Sequence, residues 1–169
     1  MRALVEKAKS YEVAIVASNK PEAAGIEWAR QRRIQTWSLE SKGHGKEDYD
    51  RLLSAALDQH GVGTIALAGF MRILSPWFIE EWTGRIVNIH PSLLPKYRGL
   101  DTHARAIEAG DAVSGCSVHL VTEELDAGEV LAQAEVAILP GETPAGLEQR
   151  ILAAEHELYP RVLSQFANR

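Results

Sequence analysis

An alternation of two patterns constrains this chain most. Short apolar runs that stop at a turn residue take turns with stretches whose apolar residues recur at helical spacing. Residues 13–18 (VAIVAS) run into Asn19-Lys20-Pro21 and read as a buried strand followed by a turn. Residues 22–33 set Ala23, Ile26, Ala29 and Arg30 at helical intervals, and 35–39 read as a short strand. Residues 46–60 form an amphipathic helix with Leu52, Leu53, Ala56 and Leu57 on one face. TIALA at 64–68 is a second apolar strand, stopped by Gly69. Ser75-Pro76 reads as an N-cap with proline at the first helical position, opening a helix to Trp82. RIVNIH at 85–90 is a third strand. Asp101 or Thr102 is expected to cap a helix to Ala109, and two more strands follow at 114–122 and 130–138. Thr143 caps a long last helix that Pro160 is expected to interrupt or kink.

This order specifies an α/β fold: a Rossmann-like, mostly parallel sheet with helices on both faces and a mixed edge from the late strand pair. At 169 residues the chain is expected to be one domain, 1–169. Such a length buries roughly 70% of the unfolded surface without staples. A net charge of −5 argues against a general nucleic-acid or anionic-membrane binder. One cysteine, Cys116, excludes a disulfide framework and a multi-cysteine zinc site. No apolar run approaches a membrane span or a signal-peptide core, so the expected location is the cytoplasm. One feature departs from the usual order. Such folds begin with a strand, whereas residues 1–9 (MRALVEKAK) read as helix.

The chemistry concentrates in three segments. In RIVNIHPSLLP (85–95), Asn88 and His90 are two apart in a strand and share a face. They sit at its C-terminal end, where open α/β sheets bind ligands, and Pro91 ends the strand at once. A carboxamide that donates to a carbonyl oxygen, beside an imidazole that moves protons, suits acyl transfer. The plain alternative is a strand-end histidine that bonds a loop. In VHLVTEELDAG (118–128), Asp126 is either a turn aspartate or a carboxylate that favours a charged His90. His119 either faces the same cleft or is a hydrogen-bonded core histidine. In AGFMRILSP (68–76), Gly69 permits a tight strand exit that leaves backbone groups free for a planar heterocycle. Met71, Ile73 and Leu74 supply apolar walls there, and Arg72 is a weaker candidate for an anionic ligand.

Three strings together, LAGFMRILSP, GRIVNIHPSLLPKYRGLDTH and GCSVHLVTEELDAGEVLAQ, resemble the 10-formyltetrahydrofolate-dependent formyltransferases. The likeness includes SNKPEAAG at 18–25 and EHELYP at 155–160, and KYRGLDTH points to the phosphoribosylglycinamide-specific branch. The resemblance implies that Asn88, His90 and Asp126 are the catalytic trio. His90, held charged by Asp126, and Asn88 would stabilise the oxyanion as the glycinamide amine attacks the formyl carbon. It implies that Met71, Arg72, Ile73 and Leu74, with Thr122, Glu123, Glu124, Leu125 and Asp126, hold the folate largely through backbone groups. Asn88 also lies on the folate, and Lys46 stands where the family has a basic residue near it, without the fork of an arginine. Leu152, Ala153, Ala154 and Glu155 match the last-helix segment on the glycinamide substrate. The formyl donor, 10-formyltetrahydrofolate, is a cosubstrate and no metal is required. The implied partners are glycinamide ribonucleotide and folate, with no nucleic acid and no membrane, for a monomer or homodimer.

Competing readings are an N-terminally shortened folate-binding homologue, a formyltetrahydrofolate hydrolase-like enzyme and a methionyl-tRNA formyltransferase. The last two normally carry a further domain, for which 169 residues leave no room. The family opens with a strand and a Gly/Ser/Asn loop that cradles the ribose phosphate at a helix N-terminus. Residues 1–10 resemble the helix that follows that loop, and nothing here matches the loop itself. The expectation is a sheet short of one central strand and a weak hold on the phosphorylated substrate. Titration of this chain with glycinamide ribonucleotide should therefore give a dissociation constant well above the micromolar range; micromolar binding contradicts that expectation.

Overall fold

Strand β4 (Ile86–His90) organises the molecule because its two faces feed two different cores. The computed structural model describes residues 1–167. Before β4 come α1 (Arg2–Glu6), β1 (Ile15–Ser18), α2 (Ala24–Gln31), β2 (Gln35–Ser38), α3 (Lys46–Gln59), β3 (Ile65–Leu67) and α4 (Pro76–Glu81). After it come α5 (Thr102–Glu108), β5 (Val113–Leu120), β6 (Val130–Ala137) and α6 (Pro144–Phe166). Successive side chains alternate across a strand. Val87 therefore joins Cys116, Val118, Leu147, Ile151, Leu158 and Val162 under α6. Ile86 points the other way, to Tyr49, Leu53, Leu57, Phe78 and Trp82 of α3 and α4. Each large apolar side chain buried in this way contributes about 1.5–3 kcal/mol.

Four strands form the order β3-β4-β5-β6, with β3 and β4 parallel and β5 and β6 adding the antiparallel, mixed edge. Strands β1 and β2 pair in parallel as a separate two-stranded sheet. Among the described residues β1 pairs with β2 alone and β3 with β4 alone. A cavity of about 440 Å³ lies between them, lined by Ile15, Ala17, Ile65, Leu67, Leu4 and Leu163. Two strand edges, of β1 and β3, thus face one seam without a ladder between them.

The helix ends show where local sequence signals decide and where they are overridden. Ser75 caps α4 as expected, its Oγ accepting the Phe78 N–H at 3.2 Å, and Thr143 caps α6 through the Gly146 N–H at 3.1 Å. Asp101 and Thr102 do not cap α5. Asp101 is left-handed at φ 57 and its side chain makes no cap bond, while the Thr102 hydroxyl donates to the Pro91 carbonyl at 2.7 Å. The leading helix stops at Glu6 rather than continuing to Lys9, because Ser10 and Tyr11 turn back to bond Ser164 and Leu4 carbonyls. Pro160 does not interrupt α6, which runs through it for 23 residues. The lost helical bond costs about 3 kcal/mol in isolation. Burial of Pro160 with its neighbours Leu158, Tyr159, Val162 and Leu163 offsets it. No helix among the described residues is long and apolar enough to cross a membrane.

Tyr159 ties α6 to the sheet. Its hydroxyl lies 3.0 Å from the Leu67 carbonyl of β3 and 2.9 Å from the Val87 carbonyl of β4. One hydroxyl proton serves one of them at a time. Tyr159→Phe should lower the unfolding free energy by about 1–2 kcal/mol, since buried carbonyls lose their donor. Equilibrium urea denaturation checks this; an unchanged midpoint would contradict the role.

Candidate active site

Asn88 and His90 do share a face at the C-terminal end of β4, and the antiparallel neighbour completes the arrangement. The register sets Asn88 opposite His119 and His90 opposite Ser117. The Asn88 Nδ2 lies 3.2 Å from His119 Nε2, and His119 Nδ1 lies 2.8 Å from the Leu120 carbonyl. Burial holds the His119 pKa below the ordinary histidine value, which favours the neutral ring. A neutral ring that donates Nδ1–H to Leu120 presents a lone pair at Nε2, and Asn88 donates into it. His119 is thus both a core histidine and part of the cleft. One amide N–H of Asn88 is used to orient the group, and the other remains for a ligand.

Ser117 fixes the exit of β4. Its hydroxyl donates to the Ser92 carbonyl at 2.6 Å and accepts the Leu94 N–H at 3.0 Å. The loop then returns over His90, so that His90 Nε2 donates to the Tyr97 carbonyl at 2.9 Å. The other ring nitrogen, Nδ1, faces Asp126 Oδ2 at 3.4 Å. Both nitrogens of His90 therefore face oxygen acceptors, and a ring that carries a proton on each would satisfy both.

Asp126 reaches this position through a strained turn. Its φ is +49, in the left-handed region that aspartate tolerates better than most residues. Two residues on, a Cβ on Gly128 would stand 1.9 Å from the Leu120 carbonyl oxygen, so only glycine lets the turn fold so closely onto β5. The carboxylate is shared. Oδ2 accepts the Gly99 N–H at 2.9 Å, while Oδ1 lies 3.6 Å from His119 Nε2. Asn88, His90, His119 and Asp126 thus form one contiguous cluster. Tyr97 and Gly99 join it through backbone atoms, which no residue-type pattern could announce.

The other expected residues fall around this cluster in different ways. Met71 and Ile73 are 78% and 71% exposed, whereas Leu74 is buried. The Arg72 side chain is turned inward: its guanidinium stacks 3.9 Å over the Tyr49 ring and lies 3.6 Å from Asp50. It is thus engaged by protein groups and does not stand in the cleft to meet an anionic ligand. Glu123 and Leu125 are exposed beside Asp126. Thr122 donates to the Glu124 carbonyl at 3.1 Å, and Glu124 pairs with Arg98 at 2.6 Å. Lys46 opens α3 and is exposed, on the helix that also carries Tyr49 and Asp50. On α6, Leu152 and Ala153 are exposed and Ala154 and Glu155 are half-buried. Leu152 and Glu155 line a cavity of about 310 Å³ with Ala68, Gly69 and Ile89. Ile89 points away from the His90 face, so this cavity flanks the same strand end from the other side. Burial pushes the Glu155 carboxyl up to about 7, with the positive chain terminus opposing it.

A donor amide, an imidazole and a shared carboxylate at one strand end are parts suited to acyl-group transfer. Residues 1–163 match the formyl transferase family. The chain is 45% identical over 173 residues to the phosphoribosylglycinamide formyltransferase of Escherichia coli, which spans 99% of this chain and 82% of that protein. It is 37% identical to the human trifunctional purine biosynthetic protein adenosine-3, over 99% of this chain but 17% of that one. The solved phosphoribosylglycinamide formyltransferase of Brucella melitensis superposes with a TM-score of 0.92 at 46% identity, covering 99% of this chain and 88% of that one. With sequence, fold and strand-end cluster in agreement, the chain belongs to the formyltransferase family.

Proposed function

We propose that this chain transfers the formyl group of 10-formyltetrahydrofolate to the amine of 5'-phosphoribosylglycinamide, a step of de novo purine (IMP) biosynthesis. The convergence of Asn88, His90 and Asp126 at the end of β4 carries this reading. The substrate amine attacks the formyl carbon, a C–N bond forms, and the carbonyl electron pair moves onto oxygen. The free Asn88 N–H donates to that oxygen, and the charge of a doubly protonated His90 stabilises it. As the carbonyl re-forms, the bond from carbon to the folate nitrogen breaks. The amine loses one proton and the folate nitrogen gains one, with His90 as the relay. Asp126 keeps the imidazole oriented for both tasks. One well-aimed donor of this kind contributes about 10²–10³ in kcat.

The folate would lie along the exposed Met71 and Ile73 side chains and the turn at Leu125 and Asp126, where the exposed apolar surface is. The glycinamide substrate would reach toward Leu152 and Glu155 from the other side of the strand end. His90→Ala should lower kcat at least 100-fold in a formyl-transfer assay, with the affinity for the folate changed little. An unchanged rate contradicts the assignment. Retained folate binding without transfer, in the unaltered chain at high glycinamide ribonucleotide, would instead make this a binding protein.

Glu155 gives a pH prediction. Its folded pKa of about 7 exceeds the ordinary value of 4.5. Between those pH values the folded chain holds a proton that the unfolded chain has released. Stability is therefore highest below about pH 4.5 as far as this group is concerned, and falls as pH rises toward 7, by about 3 kcal/mol at most. Urea unfolding of the parent and Glu155→Gln across this window should show the loss in the parent and its absence in the variant. Identical pH slopes would contradict it.

A further inference from the structure

We infer that Asp50, outside the strand-end cluster, is a positioning residue that holds the Met71–Ile73 segment open for the folate cosubstrate; this rests on the function proposed above. Asp50 sits on α3 with no exposed surface. A buried carboxylate is tolerated only where partners compensate its lost hydration. Both partners come from one short stretch between β3 and α4. Asp50 Oδ2 accepts the Ser75 N–H at 2.7 Å, and Oδ1 faces the Arg72 guanidinium at 3.6 Å. That guanidinium lies flat on the ring of Tyr49, the residue before Asp50. Oδ1 and the Arg72 Nη1 make no hydrogen bond, so charge and stacking hold the arginine in place.

The consequence follows from which side chains of the stretch between β3 and α4 are covered. Arg72 and Leu74 are turned inward, while Met71 and Ile73 beside them are left outward. The arginine's side chain is 18% exposed, while Met71 and Ile73 are mostly exposed. This inverts the ordinary preference, in which the charged side chain is solvated and the apolar ones are covered. Without the Asp50 charge the hydrophobic effect favours rotation of the stretch, with Arg72 released to solvent and Met71 or Ile73 drawn inward. Ser75 anchors the far end, since its N–H is bound to Asp50 and its hydroxyl caps α4. Asp50 therefore maintains an exposed apolar ledge at Met71 and Ile73, which suits an apolar ligand face.

The test uses the full chain and Asp50→Asn, which keeps an acceptor for Ser75 but removes the charge facing Arg72. The KM for 10-formyltetrahydrofolate should rise at least tenfold, with kcat and the KM for glycinamide ribonucleotide within twofold of the parent. Arg72→Gln provides a second variant should Asp50→Asn fail to fold: a neutral polar side chain has no charge to hold it against Asp50, so the same KM should rise. The chain has two methionines, so methyl-labelled methionine NMR reads Met71 without any turnover. A soluble paramagnetic probe should broaden the Met71 methyl strongly in the parent and weakly in Asp50→Asn. A Met71 signal in the parent that ignores 10-formyltetrahydrofolate overturns the folate reading of the ledge. A parent signal that responds, with unchanged probe broadening and unchanged folate KM in both variants, overturns the role of Asp50. Equal losses for both substrates and kcat also overturn it, because they mark a general structural defect.

Discussion

The antiparallel register between β4 and β5 determines the rest of the site. Asn88 faces His119 and His90 faces Ser117 because of that pairing, and no loop is needed to bring the first two together. The pairing also aims the β5 exit so that the following turn can fold back. Gly128 admits the close approach, and Asp126 arrives between two imidazoles 6.5 Å apart. A one-residue slip of β5 would turn His119 and Ser117 to the α6 side, into the core of Val87, Cys116 and Val118, and leave Asn88 and His90 without them. The hydrophobic alternation that builds the two cores is therefore the same alternation that assembles the polar cluster.

The two histidines play different parts in this cluster. His119 is buried, favoured neutral and bonded to a carbonyl, which makes it an acceptor that orients the Asn88 amide. His90 faces oxygen acceptors at both nitrogens, the Tyr97 carbonyl and the Asp126 carboxylate. One carboxylate touches both rings, and a backbone N–H from Gly99 keeps it from rotating. Preorganisation of this kind matters because a donor aimed beforehand does not have to reorganise when charge develops.

Much of this was legible in the amino-acid sequence for a simple reason. Strand periodicity alone aligns Asn88 with His90, and Ser-Pro and Thr-Pro at 75–76 and 143–144 announce their caps. What could not be read depends on tertiary packing. Pro160 sits in a continuous helix because the core compensates for one missing bond. Asp101 fails as a cap because its backbone is left-handed. The convergence of Asp126 on His90 came from family resemblance, since the residues alone allowed an ordinary turn. In the sequence Arg72 is a weak candidate for an anionic ligand, and its packing on Tyr49 and Asp50 shows that the protein itself uses the charge. Tyr97 and Gly99 act through main-chain atoms and leave no trace in residue type.

The central claim is that Asp126 serves formyl transfer by acting on His90. A double-mutant cycle on kcat/KM for transfer from 10-formyltetrahydrofolate to glycinamide ribonucleotide tests it most directly, using His90→Ala, Asp126→Asn and the pair. The account predicts strong non-additivity, with the double variant about as slow as the slower single one. Losses that simply multiply would mean that the two residues act independently, and would contradict the account.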